Sequence, residues 1–205
     1  MQTSSLKLII PLASLLVGFA VSSFAAQAKV GELAPDFALT AIDGVAHRLS
    51  DFQGKTVVLE WVNPECPFVV KHYESGNMLS LQKSATADGV VWWTINSGSA
   101  GAQGDYSAER VARWMESTRA APSAYFRDQD GEVGRLYGAK TTPHMYVVNP
   151  DGTLIYNGAI DSIASANRRD LAKAQNYVVA ALAASKSGRM PEKTASRPYG
   201  CSVKY

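Results

Sequence analysis

The chain alternates short apolar runs of strand length with longer segments in which apolar residues recur at helical spacing. Strand-length runs occur at 57–62, 90–95, 124–127 and 144–148. Continuous apolar runs of this length are typical of strands buried on both faces of a sheet. Helical patterns predict helices over 68–87, 107–119, 130–137 and 164–184.

Two hairpins are expected, one at each end of the predicted domain. The segments 37–40 and 47–49 flank Asp43-Gly44, a dipeptide that favours a hairpin turn. The strand at 144–148 is followed by a turn and by a returning strand at 153–160. Alternating strands and helices predict an α/β layer fold with parallel strands, to which the closing hairpin adds antiparallel ones.

The N-terminus has the pattern of a secretory signal peptide. Lys7 precedes an apolar run at 8–20, and the small residues that follow end in Ala26-Gln27-Ala28. The run contains Pro11 and is shorter than the ~20 residues that cross a bilayer. We therefore predict a signal peptide at 1–28 and a periplasmic or secreted product that is free of the membrane. The alternative is an N-terminal membrane anchor.

Composition excludes several classes of protein. The 205 residues are 46% hydrophobic and 19% charged, which suffices for the core of one domain without disulfide support. A net charge of +2 argues against a nucleic-acid-binding protein. Two cysteines are too few for a disulfide-rich miniprotein. We expect one domain at 29–185 and a basic tail without periodicity at 186–205, which carries Cys201.

The other cysteine, Cys66, lies between Pro64 and Pro67 where a predicted strand meets a predicted helix. Unpaired N–H groups and the dipole of a helix N-terminus stabilise a thiolate, which is the reactive form of cysteine. Lys71 and His72 follow within two turns and can favour the thiolate further. The alternative is an inert buried cysteine.

Cys201 is the one other cysteine in the chain. It can act as a resolving thiol that attacks a sulfenic acid or mixed disulfide on Cys66. It can equally form a structural disulfide with Cys66, and closing a loop of about 135 residues would stabilise the fold by roughly 4–5 kcal/mol in the chain-entropy model. The sequence leaves both alternatives open.

Metal and cofactor chemistry have weaker support. Cys66, Cys201, His72 and His144 can in principle form a soft metal site, but their spacing matches no recognised ligand set, so we predict no metal. The Gly-rich segment at 97–104 lacks the pattern of a phosphate-binding loop. No organic cofactor is implied.

Six short motifs occur in order along the chain. They are Ala34-Pro35-Asp36-Phe37, Asp43-Gly44, Leu49-Ser50-Asp51-Phe52-Gln53-Gly54-Lys55, Cys66-Pro67-Phe68-Val69, Thr142-Pro143 and Gly200-Cys201-Ser202-Val203-Lys204. Together they resemble the alkyl hydroperoxide reductase/thiol-specific antioxidant (redoxin) family and, within it, the peroxiredoxin-like thioredoxin subgroup. The resemblance covers nearly all of 30–205. It implies a thioredoxin-like fold, in which a central mixed sheet is flanked by helices and carries an N-terminal hairpin extension and a C-terminal tail.

The resemblance also implies roles for individual residues. Cys66 would be the reactive thiol and Cys201 the resolving or pairing thiol. Thr142 and Pro143 would form a cis-proline loop that faces the reactive cysteine and positions substrate. Asn63 would be a polar neighbour of the sulfur. Trp61, at the end of the strand before Cys66, is a candidate to line the active face, with core packing as the alternative.

The chain departs from both parent patterns at the site. Asn63 stands where a thioredoxin has the first cysteine of its Cys-x-x-Cys motif, so exchange within one helical turn is excluded. Peroxiredoxins have Thr at that position and an Arg near the start of the strand at 144, where this chain has Pro143. These departures count against efficient peroxide reduction.

The sequence therefore predicts an exported thiol-disulfide oxidoreductase or thiol-dependent antioxidant protein that uses Cys66 and Cys201. Its expected partners are protein thiols or disulfides and a thioredoxin-like electron donor, with peroxide as a further substrate to be tested. The alternative is a non-catalytic thioredoxin-fold binding protein in which Cys66 and Cys201 form a structural disulfide.

Overall fold

The structure is a computed structural model that describes residues 27–205. The strands in this part of the chain are β1 (Ala38–Thr40), β2 (Ala46–Arg48), β3 (Val57–Trp61), β4 (Val91–Asn96), β5 (Ala124–Arg127), β6 (Thr141–Thr142), β7 (His144–Val148), β8 (Leu154–Gly158) and β9 (Cys201–Ser202). The α-helices are α1 (Pro67–Glu74), α2 (Asn77–Ala87), α3 (Ala108–Thr118), α4 (Glu132–Tyr137) and α5 (Tyr177–Lys186).

The central sheet has five strands in the order β5-β4-β3-β7-β8. β3, β4 and β5 are parallel, because a helical crossover returns the chain to the same end of the sheet before each new strand. β7 and β8 form the closing hairpin, and β7 pairs antiparallel with β3. The predicted α/β architecture with a central mixed sheet is confirmed.

The two faces of the sheet carry separate apolar clusters. Leu59 and Trp61 of β3 point to the face covered by the β1–β2 hairpin and α4. Val58 and Val62 point to the opposite face, which is covered by α1, α2 and α5. Side chains alternate between faces along a strand, so neighbouring residues of β3 enter different clusters. Cys66 belongs to the second cluster.

The helix predicted at 68–87 is two helices. α1 ends at Glu74, and α2 begins at Asn77. Between them Gly76 adopts φ +77°, the left-handed region that glycine enters without steric cost. The break turns the chain, so that α1 and α2 pack on the sheet as separate elements.

The helix predicted at 164–184 begins much later, because local side-chain hydrogen bonds hold the preceding segment in turns. The side chains of Asp161, Ser165 and Asn167 each accept a hydrogen bond from the backbone N–H two residues further on. Such bonds compete with helix formation. α5 starts only after Asn176, whose side chain accepts the Val179 N–H and caps the helix.

The tail at 186–205, described from the sequence as basic and without periodicity, packs on the domain. Beside β8, the Asn157 N–H donates to the Thr194 carbonyl, and the Ser196 N–H donates to the Asn157 carbonyl. Further along, β9 pairs antiparallel with β6, which places Cys201 opposite Thr142. The tail therefore brings the second cysteine back to the edge of the domain.

Most of the predicted signal peptide at 1–28 lies outside the described residues. Ala28, its expected last residue, is buried, and its N–H donates to the Leu136 carbonyl at 3.1 Å. Within 27–205, no helix has the length and apolar character needed to span a membrane.

Candidate active site

Cys66 is the N-cap residue of α1, directly after the turn that leaves β3. Pro67 occupies the first helical position, where no backbone N–H is needed for an intrahelical bond. The N–H groups of Val69 and Val70 donate to the Cys66 carbonyl and start the helix. The residue is completely buried, at 0% exposed. The predicted position of Cys66 at a helix N-terminus is confirmed.

Three groups surround the Cys66 sulfur. The Cys201 Sγ lies 2.8 Å away, and the Thr142 carbonyl oxygen lies 3.0 Å away. The Cys201 backbone N–H points at the same sulfur, with a nitrogen–sulfur distance of 3.4 Å. The peptide bond between Thr142 and Pro143 is cis. The structure thus brings together both cysteines and the predicted cis-proline loop.

The two thiols differ in acidity. Burial raises the pKa of Cys66, but hydrogen bonds from the Cys201 thiol, the Cys201 N–H, Val69 and Thr142 outweigh burial and hold that pKa below its ordinary value. Burial, the hydrogen bond to Cys66 and the charge of the Cys66 thiolate together raise the pKa of Cys201 to about 11. Cys66 is therefore the more acidic thiol of the pair, and Cys201 is the less acidic one.

Gly200 allows the tail to approach the cis-proline loop closely. A Cβ at this position would lie 2.0 Å from the Thr142 carbonyl oxygen, and the backbone has φ +132°. Only glycine fits this combination of close contact and positive φ. Beyond Cys201, the Tyr205 hydroxyl donates to the Ala139 carbonyl at 2.9 Å, and its ring lies 4.6 Å from the Arg135 guanidinium. Contacts made before Cys201, at Gly200, and after it, at Tyr205, therefore hold this segment on the domain.

Asn63 is buried next to the site, but its side chain does not contact the sulfur. Its Oδ1 accepts the Glu65 N–H, and its Nδ2 donates to the Gln103 carbonyl. Only its backbone carbonyl serves Cys66, by accepting the Cys66 N–H at 3.0 Å. The side chain therefore fixes the turn before α1 and the loop that covers it.

Trp61 is completely buried on the opposite face of the sheet from Cys66. Its ring packs on Tyr137 and Tyr146, and its Nε1 donates to the Ser97 hydroxyl. The structure does not bring Trp61 to the surface around the two cysteines. Trp61 directly precedes Val62, and successive side chains of an extended chain point to opposite faces, so the two residues enter different clusters.

The histidines do not join the cysteines in a metal site. His144 is buried, its Nε2 lies 2.7 Å from the Asn157 Oδ1, and burial lowers its pKa to about 4. His72 Nδ1 lies 2.8 Å from the Asn77 amide, and burial lowers the pKa of His72 to about 4 as well. Within 27–205, no three side chains of His, Cys, Asp or Glu form a group that could hold a metal ion.

A buried polar cluster next to the site was not predicted from the sequence. It contains Lys71 and His72 of α1, Asp161 after β8, and Tyr199 of the tail. Lys71 and His72, which the sequence allowed to favour the Cys66 thiolate, face Asp161 instead. Tyr199 precedes Cys201 by two residues and so shares its side of an extended segment, which is the signal that could have identified it.

Comparison with known proteins supports the fold and the family resemblance. The AhpC/TSA family model matches residues 30–157. An uncharacterized conserved protein from Geobacillus kaustophilus has 30% identity and a TM-score of 0.71, with 86% of this chain and 92% of that chain covered. None of the curated proteins compared with the chain matches it.

Two further solved structures share the fold at lower identity. A putative thiol:disulfide interchange protein DsbE from Chlorobium tepidum has 24% identity and a TM-score of 0.51, covering 64% of this chain and 85% of its own. The thioredoxin domain of a thiol-disulfide oxidoreductase from Bacteroides vulgatus has 18% identity and a TM-score of 0.52, covering 71% and 96%. The predicted thioredoxin-like fold is confirmed.

Proposed function

The chain belongs to the AhpC/TSA family, and from this premise we propose that it is a thiol-disulfide oxidoreductase with Cys66 as the reactive thiol and Cys201 as the resolving thiol. One observation carries the proposal: the two sulfurs lie 2.8 Å apart at the N-terminus of α1. A disulfide bond is about 2.05 Å long, so little movement of either sulfur is needed to form one.

The difference in pKa between Cys66 and Cys201 determines which of the two cysteines reacts first. The Cys66 thiolate attacks one sulfur of a partner disulfide, forms a mixed disulfide and releases the first partner thiolate, which takes a proton from solvent. The negative charge on Cys66 is then gone, which removes one cause of the high pKa of Cys201. Cys201 loses its proton to solvent and attacks the Cys66 sulfur, and the second partner thiolate leaves. The partner gains two electrons, and the chain ends with a Cys66–Cys201 disulfide.

Regeneration requires a dithiol donor, for which a thioredoxin-like protein is the proposed class. Cys201 is partly exposed, whereas Cys66 is completely buried. A donor thiolate therefore reaches the Cys201 sulfur first, and Cys66 leaves as the more stable thiolate. A second donor thiol resolves the mixed disulfide on Cys201, so that the donor carries away the disulfide.

Access to Cys66 depends on the tail. The Thr142 carbonyl and the Cys201 sulfur cover the Cys66 sulfur, and the β6–β9 pair holds that cover in place. A large partner must displace β9 before it can reach Cys66. We therefore propose that protein disulfides react only when Cys201 and Ser202 leave Thr141 and Thr142.

The surroundings of Cys66 favour disulfides over peroxide as the substrate. Within 27–205, the Cys66 sulfur lies within hydrogen-bond distance of the Thr142 carbonyl, the Cys201 thiol and the Cys201 N–H, and none of the groups that lower its pKa is an arginine. The Asn63 side chain, at the position of the peroxiredoxin threonine, bonds its own turn and loop. The predicted signal peptide supports an exported protein. Outside the cytosol, a cysteine pair can persist as a disulfide, which fits the proposed chemistry.

A trapping experiment tests the role of each cysteine. Reduced Cys201→Ala protein is mixed with oxidised glutathione at neutral pH, and the adduct on Cys66 is followed by mass spectrometry. We expect a stable glutathione adduct on Cys66, because no second thiol remains to resolve it. Cys66→Ala is the matched control, and its Cys201 should react at least tenfold more slowly.

Wild-type protein under the same conditions should release the glutathione and accumulate the Cys66–Cys201 disulfide. A Cys66 that stays unmodified in Cys201→Ala would refute the proposal. That result would favour the alternative of a binding protein in which the two cysteines form a structural disulfide.

A further inference from the structure

Tyr199 connects the resolving segment to the buried interior. Its hydroxyl donates to Asp161 Oδ1 at 2.5 Å, and its ring packs edge-on against Phe68 of α1 at a centroid distance of 5.8 Å. The Lys71 Nζ lies 5.3 Å from the centre of the same ring. Cys201 follows only two residues later, so its Cα must lie within about 7 Å of the Tyr199 Cα.

Asp161 receives Tyr199 in a charged and buried setting. Its Oδ2 lies 3.6 Å from the Lys71 Nζ and 3.7 Å from the His72 Nε2, and both of those side chains are almost completely buried. Besides Tyr199, its Oδ1 accepts the Ile163 N–H at 3.0 Å. A hydroxyl that donates to a buried carboxylate makes one of the stronger hydrogen bonds in proteins, and losing it leaves the carboxylate less satisfied.

Helix α1 carries both the reactive cysteine and the residues that face Asp161. Cys66 is the N-cap residue of α1, whereas Lys71 and His72 lie in its last turn. The helix therefore presents the reactive sulfur at one end and, at the other, Lys71, which forms an ion pair with Asp161, and the neighbouring His72 ring. A tail bound through Tyr199 is held relative to the same rigid element that holds Cys66.

We propose that Tyr199 is a positioning residue that acts through Asp161 to hold the Cys201 thiol at the Cys66 sulfur. This inference rests on the proposed function, because it concerns the closure of the Cys66–Cys201 disulfide. The bond to Asp161 orders the tail before the disulfide forms, so ring closure requires little further loss of chain entropy. Without that bond, the reduced tail samples other positions, and the effective concentration of Cys201 at Cys66 falls.

The equilibrium constant for forming the Cys66–Cys201 disulfide in glutathione buffers measures this effective concentration. Tyr199→Phe removes the hydroxyl and retains the ring against Phe68 and Lys71. We expect the constant to fall about tenfold, which raises the reduction potential by ~30 mV. Tyr177→Phe is the matched control, because the Tyr177 ring also contacts the tail, with Lys193 Nζ 5.0 Å from its centre, and none of the hydrogen bonds among the described residues involves its hydroxyl.

Two further variants keep the test decisive. Asp161→Asn removes the charge that the Tyr199 hydroxyl bonds and should lower the constant in the same direction. Combining it with Tyr199→Phe should cost less than the sum of the two single effects, because the two side chains share a hydrogen bond. Tyr199→Leu removes the ring as well and should lower the constant further. The reduced proteins should unfold cooperatively, and Cys201 should be alkylated about tenfold faster in Tyr199→Phe than in wild type.

The outcomes separate this inference from the proposed function. If wild-type protein forms no Cys66–Cys201 disulfide, the proposed function fails. If wild type forms it and Tyr199→Phe leaves the constant within twofold or raises it, only the positioning role is refuted. Loss of the fold in both Tyr199 variants would also overturn the inference, since Tyr199 would then support the whole domain rather than the tail.

Discussion

Glu60 provides a sharp test of how the interior is built, because it is a completely buried carboxyl group in the middle strand of the sheet. Its Oε2 accepts hydrogen bonds from Trp92, Gln82 and Thr94, and its Oε1 accepts one from Tyr73. Burial outweighs these bonds and raises the pKa of Glu60 from 4.5 to about 6. The substitution Glu60→Gln retains the shape of the side chain and removes its titration.

The sign and size of the effect follow from that pKa. The folded protein holds the Glu60 proton more tightly than the unfolded chain does, so the stabilisation is present in full below pH 4.5 and is lost as the pH rises through about 6. A difference of about 1.5 units corresponds to about 2 kcal/mol. The stability of wild type relative to Glu60→Gln should therefore be about 2 kcal/mol greater at acid pH than at neutral pH.

Urea unfolding of the reduced proteins, followed by tryptophan fluorescence from acid to neutral pH, measures this difference. Comparing the two proteins at each pH cancels the titration of the buried histidines, which both share. Glu116→Gln, at an exposed position on α3, is the matched control for the substitution itself. A wild-type-minus-variant difference that stays constant across the range, or that grows toward neutral pH, would refute the reasoning.

Two further predictions concern the tail. Cys201→Ala should raise the pKa of Cys66, because the thiol that donates to the Cys66 thiolate is lost, and the ultraviolet absorbance of the thiolate measures the change. Gly200→Ala should undock the tail, because the new Cβ would lie 2.0 Å from the Thr142 carbonyl oxygen, and faster proteolysis near the C-terminus would report it. Gly188→Ala, with φ +64° and nothing within 4 Å of its Cβ, separates backbone strain from this clash.

The Cys66 half of the site could be predicted from the sequence because its signals are local. An apolar run forms β3, a proline marks the first turn of α1, and Cys66 stands between them. Thr142-Pro143 is likewise a short motif directly before a strand. Such signals depend on the propensities of neighbouring residues, which the chain displays without its tertiary contacts.

The tail could not be placed in this way, because its partners are distant in sequence. Tyr199 pairs with Asp161, and Cys201 pairs with Thr142. The description of the whole tail as without periodicity overlooked its last seven residues. There Tyr199, Cys201, Val203 and Tyr205 alternate with Gly200, Ser202 and Lys204, which is a strand pattern. That alternation indicates an extended segment but does not identify the edge on which the segment pairs.

The reduction potential of the Cys66–Cys201 pair in wild-type protein tests the central claim most directly. Equilibration in glutathione buffers, followed by acid quenching, alkylation and mass spectrometry, gives the fraction oxidised. A reversible redox pair predicts one intramolecular disulfide that exchanges with glutathione at a potential above about −300 mV. A disulfide that stays intact well below about −300 mV, or two cysteines that remain reduced throughout, would contradict the account.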